Sequence, residues 1–501
     1  MLKLWCLAIL LSLFLQSDGK APCSCGTVVR VKKEGIQYVS QSQRGRLHKE
    51  FTQIAIPEYS QKVQSGGGLL GGGLLGGGFL GGGILGSDGI LSGKPLANII
   101  GGVLKIAGIS ILNVDLPHID VKLMPSVGLQ ITIGTGLHIK ASIIHLTDVE
   151  LKVASSILLD ARISHTPKGF PIISVSACKT ILGDIDVILG GHSLIPDILK
   201  ILKQHIHKML VDKLCLTVSN VFIGMNAELG LLGAVTPVDD QVNLQYTVPS
   251  EPVITDDYMD IDMDAQYTLN DQLIELPVSE EHFTLPSDAG QSDSMVNMGF
   301  SEDYFLSAFT AMQSSGALNM DITSQMFADQ LTTSALGSYI PKVTALYPQS
   351  SPLFIKFLIS KKPVVTLQTN KVVLDLFPSL EIFVISGKTA RKSLLVLGAE
   401  VTLALKLDVS EAKIKATATL DGALQLQLVS SSISNCQCKA SDLSGYMMSI
   451  FNKIIMANLN AQFGLGITLP AMPNMHLVKP VMDVTPEYAV MSCDLDYQQK
   501  M

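Results

Sequence analysis

Apolar and polar positions follow two rhythms along this chain, and the rhythms recur in the same order twice. TVVRVKKEG reads as a strand, after which Ile36, Val39, Leu47, Phe51 and Ile54 return at roughly helical spacing until Pro57 stops the pattern. That spacing predicts one amphipathic helix. Period two takes over in LQITIG (129–134), LHIKASI (137–143) and VELKVASSILLDARI (149–163), as expected of half-buried strands. A second long helix is written in LIPDILKILKQHIHKMLVDKLCLTVSNVF, where Ile198, Leu202, Ile206, Leu210 and Leu214 form one stripe with lysines between.

Around Thr236 the composition turns to proline and acid, TPVDDQVNLQYTVPSEPVITDD, and this change predicts a domain junction over 236–255. YMDIDMDAQYTL then resumes the strand rhythm. A helix around 301–312 carries Tyr304, Phe305, Phe309 and Met312, and a last helix over 442–463 carries Phe451 and Ile455. Between them Val401, Leu403, Leu405, Leu407 and Val409 alternate with Thr402, Ala404, Lys406 and Asp408, and beyond an Asp421-Gly422 turn Leu424, Leu426 and Leu428 keep the same beat. Each half therefore reads as helix, antiparallel strands, helix, an α+β arrangement. A broad apolar stripe on a helix has to cover something apolar, and a strongly curved antiparallel sheet supplies it. Between the two lies either a filled core or a groove for an apolar ligand. The residues expected to line such a groove are Val39, Leu47, Phe51, Ile54, Ile198, Leu202, Ile206 and Leu210 in the first half. In the second they are Tyr304, Phe305, Phe309, Met312, Phe451 and Ile455.

Composition adds a compartment. MLKLWCLAILLSLFLQSDG has one early lysine, an apolar run from Leu4 to Leu15 and small residues after it, the form of a secretory signal over residues 1–19. Secretion follows as the expectation, with retention in the lumen of the secretory pathway as its variant. The composition of 47% apolar and 16% charged residues implies a large interior. Of eight cysteines, Cys6 falls in the signal; the remaining seven are an odd number, so at least one is a free thiol or pairs with another chain. Cys23/Cys25 and Cys436/Cys438 are spaced C-x-C rather than the C-x-x-C of zinc sites, and no metal or other cofactor is expected.

Charge is unevenly spread: +7 from Lys20 to Lys213, −19 from Leu214 to Pro341 with no Lys or Arg at all, and +4 beyond. Nucleic acid is not an expected partner. Lys32, Lys33, Arg44, Arg46 and Lys49 cluster near the first helix, either as solvated faces or as contacts for anionic head groups. Neither a G-x-S-x-G elbow, an H-E-x-x-H motif nor a Walker A sequence occurs, which argues against an enzyme. GGGLLGGGLLGGGFLGGGILG, Gly66 to Gly86, contains G-x-G-x-x-G by repetition, but a stretch that reads as helical and charged precedes it and 13 of its 21 residues are glycine. It reads as a loop.

GTVVRVKKEGIQYVSQSQRGRLHKEFTQIAIPEYS closely resembles the amino-terminal segment of the bactericidal/permeability-increasing protein, lipopolysaccharide-binding protein and PLUNC family. LPHIDVKLMPSVGLQITI, SVSACKTILGDIDVIL, GFSEDYFLSAFTAM and GITLPAMPNMHLVKPVMDV resemble that family's later landmarks, in order, with the long two-domain PLUNC subgroup nearest. The resemblance implies two tandem barrel-and-helix domains, 20–235 and 256–496, joined by a central sheet into a boomerang. It implies an apolar lipid groove in each and a disulfide between Cys178 and Cys215, with the glycine repeat as an insertion in the first domain. It further implies a non-enzymatic carrier of phospholipid, fatty acid or another hydrophobic small molecule, odorants included, in mucosal fluid, with a part in innate defence. The alternative it leaves is a defence protein that binds lipopolysaccharide or microbial membranes.

Overall fold

The computed structural model describes residues 26–62, 103–144, 147–189, 196–274, 282–327, 330–386, 390–434, 438–470 and 474–498. The signal segment, the glycine repeat and Cys23, Cys25 and Cys436 lie outside the described residues. Three antiparallel sheets organise the rest. Eight helices accompany them among the described residues: α1 (Lys33–Ser42), α2 (Arg44–Thr52), α3 (Pro196–Leu229), α4 (Glu302–Ser315), α5 (Thr333–Gly337), α6 (Pro341–Leu346), α7 (Ser444–Ile450) and α8 (Met456–Leu465).

The first sheet runs Tyr59–Lys62, Val103–Val114, Gly128–Ile143, Thr147–His165, Pro171–Leu189, with His118–Met124 also paired to Gly128–Ile143. Along Gly128–Ile143 buried and half-exposed residues alternate from Leu129 onward, because successive side chains leave opposite faces of a strand. Register breaks at Glu150/Leu151, Val153/Ser155 and Asp160/Ala161 each place an extra residue in the edge strand Pro171–Leu189, and bulges of this kind bend and twist a ladder. The curled face that results buries Ile131, Ile133, Ile139, Leu151 and Leu159. Gln43 separates α1 from α2, so the one expected helix is two, and its apolar stripe turns with the break.

In the second half the strand Ala390–Ser410 is the spine. Lys413–Leu420 pairs with its residues 403–410, and Gln425–Ser431 with its residues 395–400. The Asp421-Gly422 turn therefore does not fold a hairpin: it passes the chain from one segment to the next along the same neighbour, and the continued leucine rhythm follows from both segments facing one interior. The closing helix is likewise subdivided, α7 and α8 being joined by a π-helical turn at Phe451–Ile455.

The third sheet ties the halves together. Its order is Met475–Val484, Ala489–Tyr497, Val296–Phe300, Thr27–Lys32, Tyr258–Leu269, Val242–Thr247. The strand Thr27–Lys32 is thus inserted between two strands drawn from the second half of the chain. The proline- and acid-rich stretch expected as a junction carries Val242–Thr247 into this sheet. Charge explains part of the pairing. Arg30 is directly opposite Asp260, in the segment without a single Lys or Arg, and its guanidinium grips that carboxylate through Nε and Nη2 at 2.8 Å each. It also donates to the carbonyls of Leu285 and Pro286 and lies 3.9 Å above the Tyr258 ring.

Candidate functional site

Among the described residues, a cleft between helices and sheet is present in each half. In the first, Val39, Ser40, Gln43 and Leu47 from α1, α2 and the residue between them face Ile119, Ile131 and Ile133 across the sheet, and Val221, Phe222 and Met225 of α3 close the side. Its cavity is about 40 Å³ and opens to solvent. In the second, Ala308, Ala311 and Met312 of α4 face Tyr267, Val238 and Val242, with Ile467 at the end and Asp239 alongside, around a narrow cavity of about 10 Å³. Both are lined almost wholly by hydrocarbon. Transfer of apolar area out of water, at about 25 cal/mol per Å², is the binding energy that such walls offer.

Three of the residues expected from the helix stripes line these clefts: Val39 and Leu47 in the first, Met312 in the second. Phe51, Ile54, Ile198, Leu202, Ile206 and Leu210 are buried in the packed interior of the first half. Tyr304, Phe305, Phe309, Phe451 and Ile455 are buried in that of the second, where Phe309 meets Phe463 edge-on and Tyr304 meets Phe305 in the same way. Strand residues make up much of the remaining walls. The alternation of the strands carries a signal for Ile119, Ile131 and Ile133, and the α3 stripe continues through Val218 and Val221 toward Met225. For Tyr267 the sequence holds no signal beyond its place in YMDIDMDAQYTL.

Cys178, on the edge strand Pro171–Leu189, is joined to Cys215 in the middle of α3. The bond anchors the helix whose next turns, from Val221, form a wall of the first cleft. Cys438 is also disulfide-bonded. Cys493 is a buried free thiol in the central sheet, its pKa pushed up to about 12 by burial and the neighbouring Asp494 carboxylate.

The basic cluster is largely engaged within the protein. Lys32 donates to the Ser292 carbonyl, Arg44 to the Pro117 carbonyl at 2.6 Å, and Arg46 pairs with Glu228 at 3.3 Å, while Lys33 and Lys49 are exposed. A Ser-Asp-His grouping occurs among the described residues, and its geometry is not that of a nucleophile: Ser250 Oγ donates to Asp262 Oδ2 at 2.6 Å, and His282 Nε2 meets the same oxygen at 3.1 Å. The serine proton is held by a carboxylate rather than shared with an imidazole base. No group of three or more metal-ligating side chains occurs among the described residues.

Comparison with known proteins follows the same division. The profile of the LBP / BPI / CETP family N-terminal domain matches residues 35–227, and that of the C-terminal domain matches residues 236–497. The chain belongs to the LBP/BPI/CETP family. Within it, BPI fold-containing family B member 2 of Homo sapiens is 30% identical over 495 residues, 98% of each chain. The Mus musculus member 2 is 31% identical over 401 residues, covering 79% of this chain and 86% of its own. A bactericidal permeability-increasing protein of Sebastes schlegelii is 25% identical over 423 residues, 81% of this chain and 88% of its own. The crystal structure of lipopolysaccharide binding protein superposes with a TM-score of 0.55 at 18% identity, covering 95% of this chain and all of that one. The two-domain LBP/BPI/CETP fold, with a curled antiparallel sheet and long helices in each domain, is therefore the fold of this chain.

Proposed function

We propose that this protein is a secreted, non-enzymatic binder and carrier of lipids or other hydrophobic small molecules, odorants among them, acting in mucosal fluid with a part in host defence. The observation that carries the reading is the pair of hydrocarbon-lined clefts, one beneath the helices of each half, in a family whose members include lipid-binding proteins. Apolar residues that line a gap between helices and sheet are a binding surface for matching apolar chains. Met225, Met312 and Phe222 at the walls are adaptable enough to admit a chain wider than the cleft at rest.

Native mass spectrometry of the full chain recovered from eukaryotic culture medium tests this. The expected spectrum has mass increments that organic extraction releases as lipid or a similar apolar molecule. Val39→Trp, which fills the mouth of the first cleft from a half-buried position, is expected to remove one increment while leaving the melting temperature within a few degrees. A protein that carries nothing, and takes up no apolar probe after delipidation, would end the carrier reading. Lipopolysaccharide recognition, named for a structural relative, makes a different demand: binding to anionic vesicles that weakens steeply with salt. With Lys32, Arg44 and Arg46 each paired to an acceptor of the chain itself, the expected affinity for such vesicles is low and changes little between low and physiological salt.

A further inference from the structure

The first cleft at rest has a cavity of about 40 Å³, room for a few water molecules and not for a hydrocarbon chain, so entry of such a chain requires a wall to move. Most of the walls are fixed. Ile119, Ile131 and Ile133 belong to paired strands. α1 continues directly from Thr27–Lys32, a strand paired on both sides, and its Gln37 donates to the Ile119 carbonyl at 2.6 Å and accepts from the Val121 N–H at 3.0 Å. α2 is tied through Arg44 to the Pro117 carbonyl and through His48 to that of Val114. The remaining wall, Val221, Phe222 and Met225 on α3, is held differently. Beyond the Cys215–Cys178 bond, the polar ties of this helix to the rest of the protein, among the described residues, are Asn226 and the partly exposed pair of Glu228 with Arg46.

Asn226 is joined to the sheet where the sheet has no further strand. Pro171–Leu189 pairs on one side only, and at Ile173 the Asn226 carboxamide accepts from the backbone N–H at 2.6 Å and donates to the carbonyl at 2.9 Å, as one residue of an additional strand would. These bonds can break without disturbing any ladder. The wall therefore lies between two fastenings about three helical turns apart, one covalent at Cys215 and one reversible at Asn226. Gly224, within the wall, is a weak point in the helix, and a Cβ there would meet Arg46 Nη2 at 2.7 Å. The second half repeats the device away from its cleft: Asn460 of α8 accepts from the Ala418 N–H at 2.7 Å and donates to the Ala418 carbonyl at 3.1 Å, and α8 is not a wall of either cleft described above.

We propose that Asn226 is the latch of the first cleft: its carboxamide holds α3 to the open sheet edge at Ile173, and its release lets the Val221–Met225 wall bow outward beyond the Cys178–Cys215 bond and admit an apolar chain. Asn226 touches no ligand in this scheme and acts by positioning the wall. The proposal rests on the carrier reading above and adds the moving part to it.

The test uses the full chain with Leu47→Cys as a reporter, since Leu47 is a cleft wall that is 2% exposed while the latch is closed. Its reaction with 4,4′-dithiodipyridine is followed at its own peptide by mass spectrometry, without ligand. Asn226→Ala is expected to speed this labelling about ten-fold, the loss of a pair of neutral hydrogen bonds. Asn226→Asp keeps the shape but has no donor for the Ile173 carbonyl, and is expected to speed it at least as much. Asn460→Ala removes the matching pair of bonds from α8 and is expected to leave labelling within about two-fold. In chains that retain Leu47, stopped-flow uptake and release of N-phenyl-1-naphthylamine are both expected to quicken about ten-fold in Asn226→Ala, with Kd held within about three-fold, because a latch changes access and not the bound state. Labelling that Asn226→Ala and Asn226→Asp change no more than Asn460→Ala does overturns the latch. Faster labelling with unchanged probe rates overturns this wall as the route of entry and leaves the carrier reading standing. A parent chain that binds no apolar probe ends the carrier reading and the entry route together.

Discussion

Asp260→Ala is expected to lower the unfolding free energy by about 3–5 kcal/mol, the range for removing one partner of a buried ion pair. The side chain of Arg30 is 2% exposed and that of Asp260 14%, so the guanidinium left behind keeps its charge out of reach of water. Burial works against that charge; the Asp260 hydrogen bond and carboxylate outweigh it, and the net effect is an arginine pKa above its ordinary value. The two residues join the first described strand to the start of the second half, so the loss falls on the sheet that unites the two halves. Adding Arg30→Met is expected to restore only part of the stability, because the Leu285 and Pro286 carbonyls lose their donor as well. Guanidinium titrations of the parent, the single and the double variant measure this. A change under about 1 kcal/mol for Asp260→Ala is the result that contradicts a buried, uncompensated charge.

Cys178→Ala/Cys215→Ala is expected to cost about 4 kcal/mol in the chain-entropy account, for a bridge that closes a sequence separation of 37 residues. Because α3 is tied to the edge strand by this bond, the Val221–Met225 wall of the first cleft is expected to gain amide exchange in the same variant. Hydrogen exchange and denaturation with and without reductant check both points: reduced parent and double variant should coincide. If reduction shifts the parent midpoint by less than the equivalent of about 1 kcal/mol, the bond does not constrain the unfolded chain as argued.

Much of the architecture was legible in local pattern. A period of two is visible wherever one face of a strand is buried, so Gly128–Ile143 and Ala390–Ser410 are written plainly in their alternation. The α3 stripe from Ile198 to Leu214 is equally plain, since all five residues are buried on one face. Helix breaks were not legible. Gln43 and the π-helical turn at Phe451–Ile455 interrupt stripes whose spacing suits one continuous helix, and the choice is made by what the stripes pack against. The cleft walls were legible only in part. A stripe reports which face turns inward, and the inward face serves packed core and cleft alike, so Leu47 at a cleft and Phe51 in the interior read the same.

By itself the sequence determined the alternation of helices and strands, the repetition of that order in two halves, and the acid-rich segment that needs a cation from elsewhere. These depend on residues near one another in the chain. Tertiary structure alone decided that the needed cation is Arg30, more than two hundred residues away, that Thr27–Lys32 threads between strands of the second half, and that Tyr267 stands in a cleft wall without an acceptor. Such facts arise from contacts between distant segments, and pairing across that distance is set by the summed burial and hydrogen bonding of whole sheets, which no local window of residues encodes.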